Sequence, residues 1–352
     1  MMKKAFKWQL LGVGLSLFLV LFIMIPRLSF AAEKELVICA AGGAFADAVK
    51  KCFISPFEKE TGIKVTFVSP WNFAKLKAMV DSKNVEWDIM ENPPETRHRA
   101  LKEGLLEQLD YSKIPRSKGC IPEGIQPYWM GLVYYATNYC YNTKAYSKEH
   151  HPRTSVDFWD IKKFPGRRSI RNTPVGNLEI ALLADGVPRD KIYPIDVDRA
   201  FKKLDEIKPH IAVWWKEGAQ PAQLLTDKEV DLATVMNGRA FAVYSQGGPI
   251  GLEWGDGFLQ MSAWSIPKGA KNKENAHKFL NFFLKGDLWE PFLRIMPYPG
   301  PAKDIYKYIP ADLAKEMPTY PENYKKMVYV NDEWWANNIE KMRERWDKWM
   351  LK

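Results

Sequence analysis

Glu35-Leu36-Val37-Ile38-Cys39 runs into Ala41-Gly42-Gly43, and Phe45, Val49, Cys52 and Phe53 then follow at helical spacing. A short apolar strand turning through two glycines into an amphipathic helix is one βα unit. The same rhythm returns along the chain. Thr61-Gly62 closes the helix, and Ile63-Lys64-Val65-Thr66-Phe67-Val68 alternates as the next strand. Trp87-Asp88-Ile89-Met90 breaks at Pro93-Pro94 into a helix over 96–102, closed by Gly104. A long aromatic strand spans Leu132 to Tyr141. A second series follows it, with a strand at Ser169-Ile170-Arg171, helices over 178–185 and 198–207, and a strand Val230–Met236 entering Asn237-Gly238. A strand over Met261–Ile266 and a helix from Lys273 to Lys285 complete the series. Strands alternating with helices at this spacing predict an α/β fold with mostly parallel sheets flanked by helices.

Upstream of the first strand, Lys3, Lys4 and Lys7 precede an apolar run from Leu10 to Ile25, and Ser29-Phe30-Ala31 leads into Ala32-Glu33. A basic start, an apolar middle and small residues at −3 and −1 predict a secretory signal peptide, residues 1–31, cut after Ala31. The apolar run of about 16 residues falls short of the roughly 20 needed to span hydrocarbon. Lys3, Lys4, Lys7 and Arg27 leave with this leader, so 47 basic residues face 42 acidic ones, a net +5 where the full chain has +9. The charges are interspersed and give no reason to expect nucleic acid. About 320 residues remain, enough for two domains.

Export places Cys39, Cys52, Cys120 and Cys140 in an oxidising compartment. Cys120 and Cys140 flank a Tyr- and Trp-rich segment and are the candidate disulfide; Cys39 and Cys52 read equally well as buried thiols. Neither pair has zinc-type spacing with a His, and no metal or cofactor is expected. The nucleophile elbow, the phosphate-cradling loop and the His-Glu-x-x-His pair are all absent. An exported α/β chain without them leans toward binding, and an enzyme using the same cleft stays as an alternative.

Two successive α/β units imply two lobes with a cleft between them. Parallel sheets present ligands to the loops beyond their strand carboxyl ends, here Gly42-Gly43, Asn92-Pro93 and Asn237-Gly238. Free N–H groups at Gly42, Gly43 and Asn237 can face an anion, and Arg239 can add a bidentate contact. Equally, Asn237 can cap its helix while Arg239 points to solvent. Among the abundant aromatics, Trp264 and Tyr298 are the expected cleft walls, whereas Trp334, Trp335, Trp346 and Trp349 suit a C-terminal helix packed on a lobe.

The segments Pro56-Phe57-Glu58-Lys59-Glu60-Thr61-Gly62, Glu103-Gly104-Leu105-Leu106, Asn237-Gly238-Arg239-Ala240, Ser265-Ile266-Pro267-Lys268-Gly269 and Pro297-Tyr298-Pro299 resemble the bacterial ABC-transporter solute-binding family that includes the spermidine/putrescine-binding proteins. The resemblance runs in order along nearly the whole mature chain. It implies a two-lobed periplasmic binding protein of type II-like fold, a monomer closing on a small ligand and docking on a membrane permease. The crossovers would fall near Tyr141 and Ser262, with lobe 1 at 32–140 plus 262–305 and lobe 2 at 141–261 plus 306–352.

Polyamine-binding members carry a Trp and an Asp on the strand before the Ile-Pro motif, and a Trp before the Asn-Gly turn. Here Gln260, Ser262 and Met236 stand at those positions. A desolvated dication needs carboxylates, so the departure favours another ligand. The stretch Leu178–Val187 with Tyr193-Pro194-Ile195-Asp196 resembles the subgroup with 4-aminobutyrate-binding members. The implied ligand is amino-acid-like or carboxylate-bearing. Putrescine or spermidine, held by acids such as Glu91 or Glu95, is the alternative.

Overall fold

The computed structural model describes residues 34–352; the expected leader lies outside them. The ten strands are β1 Glu35–Cys39, β2 Lys64–Val68, β3 Ile89–Asn92, β4 Ile125–Gln126, β5 Trp129–Asn142, β6 Arg168–Arg171, β7 Ile211–Trp215, β8 Leu232–Met236, β9 Ile250–Ser265 and β10 Val328–Tyr329. They form one path, β2-β1-β3-β9-β5-β8-β6-β7, with β10 beside β9 and β4 beside β5. The triplets β2-β1-β3 and β8-β6-β7 are parallel. Between them β9 and β5 run antiparallel to β3, to β8 and to each other, while β10 lies parallel to β9.

The α/β expectation holds within each half, and two long strands carry the chain between the halves. Those strands were only partly legible. β9 extends well upstream of Met261, through a Gly-rich stretch that does not read as strand. Thr137 pairs with Phe258 but Tyr139 pairs with Glu253, so two residues along β5 span five along β9. Asp256 takes φ +55 in this surplus loop. Its carboxylate accepts from Ser155 N–H at 2.8 Å and Arg189 Nη2 at 2.6 Å, which satisfies a buried charge that would otherwise be costly.

Period-2 alternation assigns each strand face to a separate apolar cluster. Leu36 and Ile38 join Phe53, Phe57, Trp264, Phe279 and Phe283, whereas Cys39 joins Leu76, Trp87, Met90 and Met261. In the other half Tyr139, Ile170 and Leu232 face Leu178, Phe201 and Leu204, whereas Cys140, Ala233 and Val235 face Leu224, Leu225 and Ala240. Past residue 305 the chain divides its packing. Ile309, Leu313 and Met317 enter the first cluster, and Trp335, Met342, Trp346 and Trp349 enter the cluster around Leu178. The latter four lie on the C-terminal helix Asp332–Met350, capped by Asn331, whose side chain accepts from Trp334 N–H at 2.9 Å. The expectation of a packed Trp-rich terminal helix is met.

The expected Cys120–Cys140 bridge is not present. All four cysteines are free and buried. Cys120 packs beside Ile114 and Ala302, while Cys140 faces Leu225 in the other half. Flanking an aromatic strand brought the two no closer, because a strand holds its ends apart. Burial pushes the thiols of Cys39 and Cys120 up to about 12, leaving little thiolate to react. The folded protein should therefore show no fast reaction with a thiol reagent, and four thiols should appear on denaturation; a count of two would establish a bridge.

Candidate ligand-binding cleft

The carboxyl ends of β1 and β3 face those of β6 and β8 across a cleft of ≈ 430 Å³. Residues immediately past a parallel strand end lie where ligands bind, and the lining follows that rule. The first half contributes Ala41, Phe45, Glu91, Pro93, Glu95 and Tyr298. The long strands form the floor with Val133 and Tyr135 from β5 and Gln260 and Ser262 from β9. Tyr135 pairs with Gln260 and Val133 with Ser262, so all four share one face. The second half contributes Arg171, Thr173, Val175, Met236 and, from the C-terminal helix, Arg343.

Charge is divided between the walls. Glu91 is buried, with Oε2 accepting from Ala41 N–H at 2.8 Å and Oε1 from the Ser262 hydroxyl at 3.0 Å. Burial pushes its carboxyl above the ordinary glutamate range despite these two donors. Glu95 stands exposed in the first turn of the helix Pro94–Lys102. Opposite, the Arg171 guanidinium lies 5.4 Å from the Trp215 ring centroid, which orients it without neutralising it. Among the described residues, neither Arg171 nor Arg343 forms an ion pair within 4.0 Å, whereas Arg97, Arg99, Arg189, Arg199, Arg294 and Arg345 each do. Tyr135 and Tyr298 meet edge to face, their centroids 6.3 Å apart. The Tyr298 hydroxyl packs directly against Gly238. A Cβ on Gly238 would lie 2.4 Å from that oxygen, so only glycine permits the approach.

Met236, Gln260, Ser262 and Tyr298 line the cleft as residues singled out from the sequence. Gly42 and Gly43 border it, exposed between Ala41 and Phe45, and Gly43 takes φ +64 at the helix start. The other choices lie elsewhere. Asn92 points off the cleft and donates to Ser265 Oγ at 3.1 Å. Asn237 is a brace, accepting from Ala136 N–H at 2.9 Å and donating to the Pro297 carbonyl at 2.9 Å. Trp264 shares the face of Gln260 and Ser262 but is fully buried under Phe279 and Phe283. Arg239 is exposed on the helix Asn237–Tyr244, outside the lining.

Arg171, Thr173, Tyr135 and Arg343 were missed. Arg171 ends β6, so the strand-end rule would have found it had it not been restricted to Gly and Asn loops. Arg343 carries no local signal, because it reaches the cleft only through the return of the terminal helix.

A two-lobed α/β frame with a polar cleft at opposed strand ends is the architecture of a solute receptor. The chain belongs to the bacterial extracellular solute-binding protein family, whose model matches residues 53–323. It is 31% identical to the gamma-aminobutyric acid-binding protein of Pseudomonas aeruginosa over 91% of this chain and 92% of that one. An ABC transporter substrate-binding protein from Bradyrhizobium japonicum superposes with TM-score 0.83 at 38% identity, over 90% of this chain and 99% of that one. The Atu4243-GABA receptor superposes with TM-score 0.80 at 34% identity, over 90% and 97%.

Proposed function

We propose that the chain is the periplasmic receptor of an ABC importer for a small zwitterionic amino acid of the 4-aminobutyrate type. The observation that carries this reading is the division of charge, with Glu91 and Glu95 on one wall and Arg171 and Arg343 on the other. An ammonium on the acidic wall gains carboxylate acceptors and the aromatic faces of Tyr135 and Tyr298. A carboxylate on the basic wall gains the guanidinium fork of Arg171. Arginine therefore holds the carboxylate, as expected from the sequence, but at Arg171 in place of Arg239. A diamine matches only one wall and meets like charge on the other, where juxtaposed charges cost several kcal/mol. The relatives that bind 4-aminobutyrate support the same choice.

Export with cleavage after Ala31, a monomeric state and delivery of the ligand chemically unchanged complete the proposal. We place the lobe boundaries along β5 and β9, near Tyr141 and Ser262, and the packing of Ile309, Leu313 and Met317 favours keeping that segment with the first lobe. Titration calorimetry with 4-aminobutyrate, β-alanine, putrescine and spermidine tests the ligand. Binding of the zwitterions without the diamines is expected; the reverse would overturn the reading.

The Glu91 environment adds a pH signature. A bound ammonium favours the carboxylate, so binding displaces a proton wherever Glu91 is protonated in the free protein. Affinity should therefore weaken as pH falls through the Glu91 pKa, which burial holds above the ordinary glutamate value. For the free fold the sign is opposite: the contribution of Glu91 to stability is fully present below the unfolded pKa and is lost as pH rises through the folded one. Glu91→Gln should bind more weakly and flatten the acid limb of the affinity profile. An unchanged profile would remove Glu91 from the ammonium site.

A further inference from the structure

We infer that a side recess of the cleft is a chain-length subsite for the ligand's methylene groups, gauged by Ala336 on the C-terminal helix; this rests on the amino-acid reading above. The recess, ≈ 40 Å³, shares Glu95, Val175, Gln260 and Arg343 with the cleft and so opens directly from it. Beyond that mouth the lining is mostly apolar, with Pro94, Val330, Trp335, Ala336 and Ile339 beside Asp332. Trp335, Ala336, Ile339 and Arg343 follow helical spacing, so one face of the helix carries both the apolar wall and the cleft arginine.

Two polar groups of its lining are already engaged. Asp332 pairs with Arg97, and Trp335 Nε1 donates to Glu179 Oε1 at 2.7 Å. Neither is free to hold a second ligand charge. A water there needs two to four polar partners to be kept. An aliphatic segment needs none. With charged ends fixed on opposite walls, a ligand of four or five carbons must bow its middle somewhere, and the recess lies between the two charged groups that flank its mouth, Glu95 and Arg343. Ala336 and Ile339 are both only partly buried there, so the size of these side chains sets how much of the bow is accommodated. Burying one methylene is worth about four-fold in affinity, and blocking the recess should cost that or more per displaced carbon.

The test measures dissociation constants of wild type, Ala336→Leu and Ile339→Ala for β-alanine, 4-aminobutyrate and 5-aminopentanoate, with melting temperatures as a check on folding. Ala336→Leu should weaken the two longer ligands by about ten-fold while leaving β-alanine within about two-fold. Ile339→Ala, which enlarges the recess, should shift preference toward 5-aminopentanoate by about four-fold. The second variant stands if the first fails to fold. Equal losses for all three ligands, or an unchanged rank order in the folded variants, would overturn the subsite while leaving the receptor reading intact. Wild type binding none of the three would overturn both.

Discussion

Replacing Asp332 with Leu is expected to destabilise the fold by about 3–5 kcal/mol, because it leaves the Arg97 guanidinium charged, buried and unpaired. The side chains of Arg97 and Asp332 are only 1% and 10% exposed. The pair ties the helix Pro94–Lys102 to the first turn of the C-terminal helix, and Lys102 reaches Asn337 one turn further along. Because the first helix follows β3 and the second packs around Trp346, this contact bridges the two halves. The bridge is imperfect, since Nε and Nη1 of Arg97 have no partner. Arg97→Met should cost a similar amount by stranding the carboxylate. The double variant, with both charges replaced by apolar groups, should recover most of the loss, as buried ion pairs exchanged whole often do. Urea unfolding of the four proteins decides the matter. Single variants within about 1 kcal/mol of wild type would mean that water reaches the pair, and the bridge would lose its structural role.

Arg171→Ala should lower affinity for the amino-acid ligand at least thirty-fold, from the roughly 2–5 kcal/mol lost when one partner of a desolvated charge pair is truncated. Stability should change little, because the stacking of Arg171 on Trp215 is worth only about 0.5–1 kcal/mol at a partly exposed site. Arg171→Lys should recover only part of the loss, since an ammonium offers no planar fork for a carboxylate. Arg239→Ala, outside the cleft, serves as the comparison and should bind within about two-fold of wild type. Should Arg239→Ala abolish binding while Arg171→Ala does not, the carboxylate sits against the helix Asn237–Tyr244 and the proposed polarity of the site is wrong.

The alternation of strands and helices was legible because it is local. Ile38, Phe53, Leu204 and Ile207 announce their faces through spacing alone, and their hydrophobic burial needs only a partner surface. The four residues singled out from the sequence that line the cleft, Met236, Gln260, Ser262 and Tyr298, came from two sources: strand ends, and positions where the chain departs from a family pattern. Trp264 shows where such reasoning stops. Its place at a strand end near the crossover pointed to the cleft, but it lies fully buried against Phe279 and Phe283. Asn237 misled for a related reason, because an amide at a strand end serves a backbone brace as readily as a ligand.

Sequence by itself thus determined the α/β class, the two-part organisation and the strand ends that border the cleft. These follow from periodicity, turn chemistry and chain order. Tertiary structure alone decided the polarity of the site. Glu91 meets Ser262 through the antiparallel pairing of β3 and β9, a contact 171 residues long in sequence. Arg343 joins Arg171 only because the last helix packs its tryptophans back onto the second half. Opposed charges across a cleft are a property of pairing between distant segments, and no local pattern encodes which distant segments will meet.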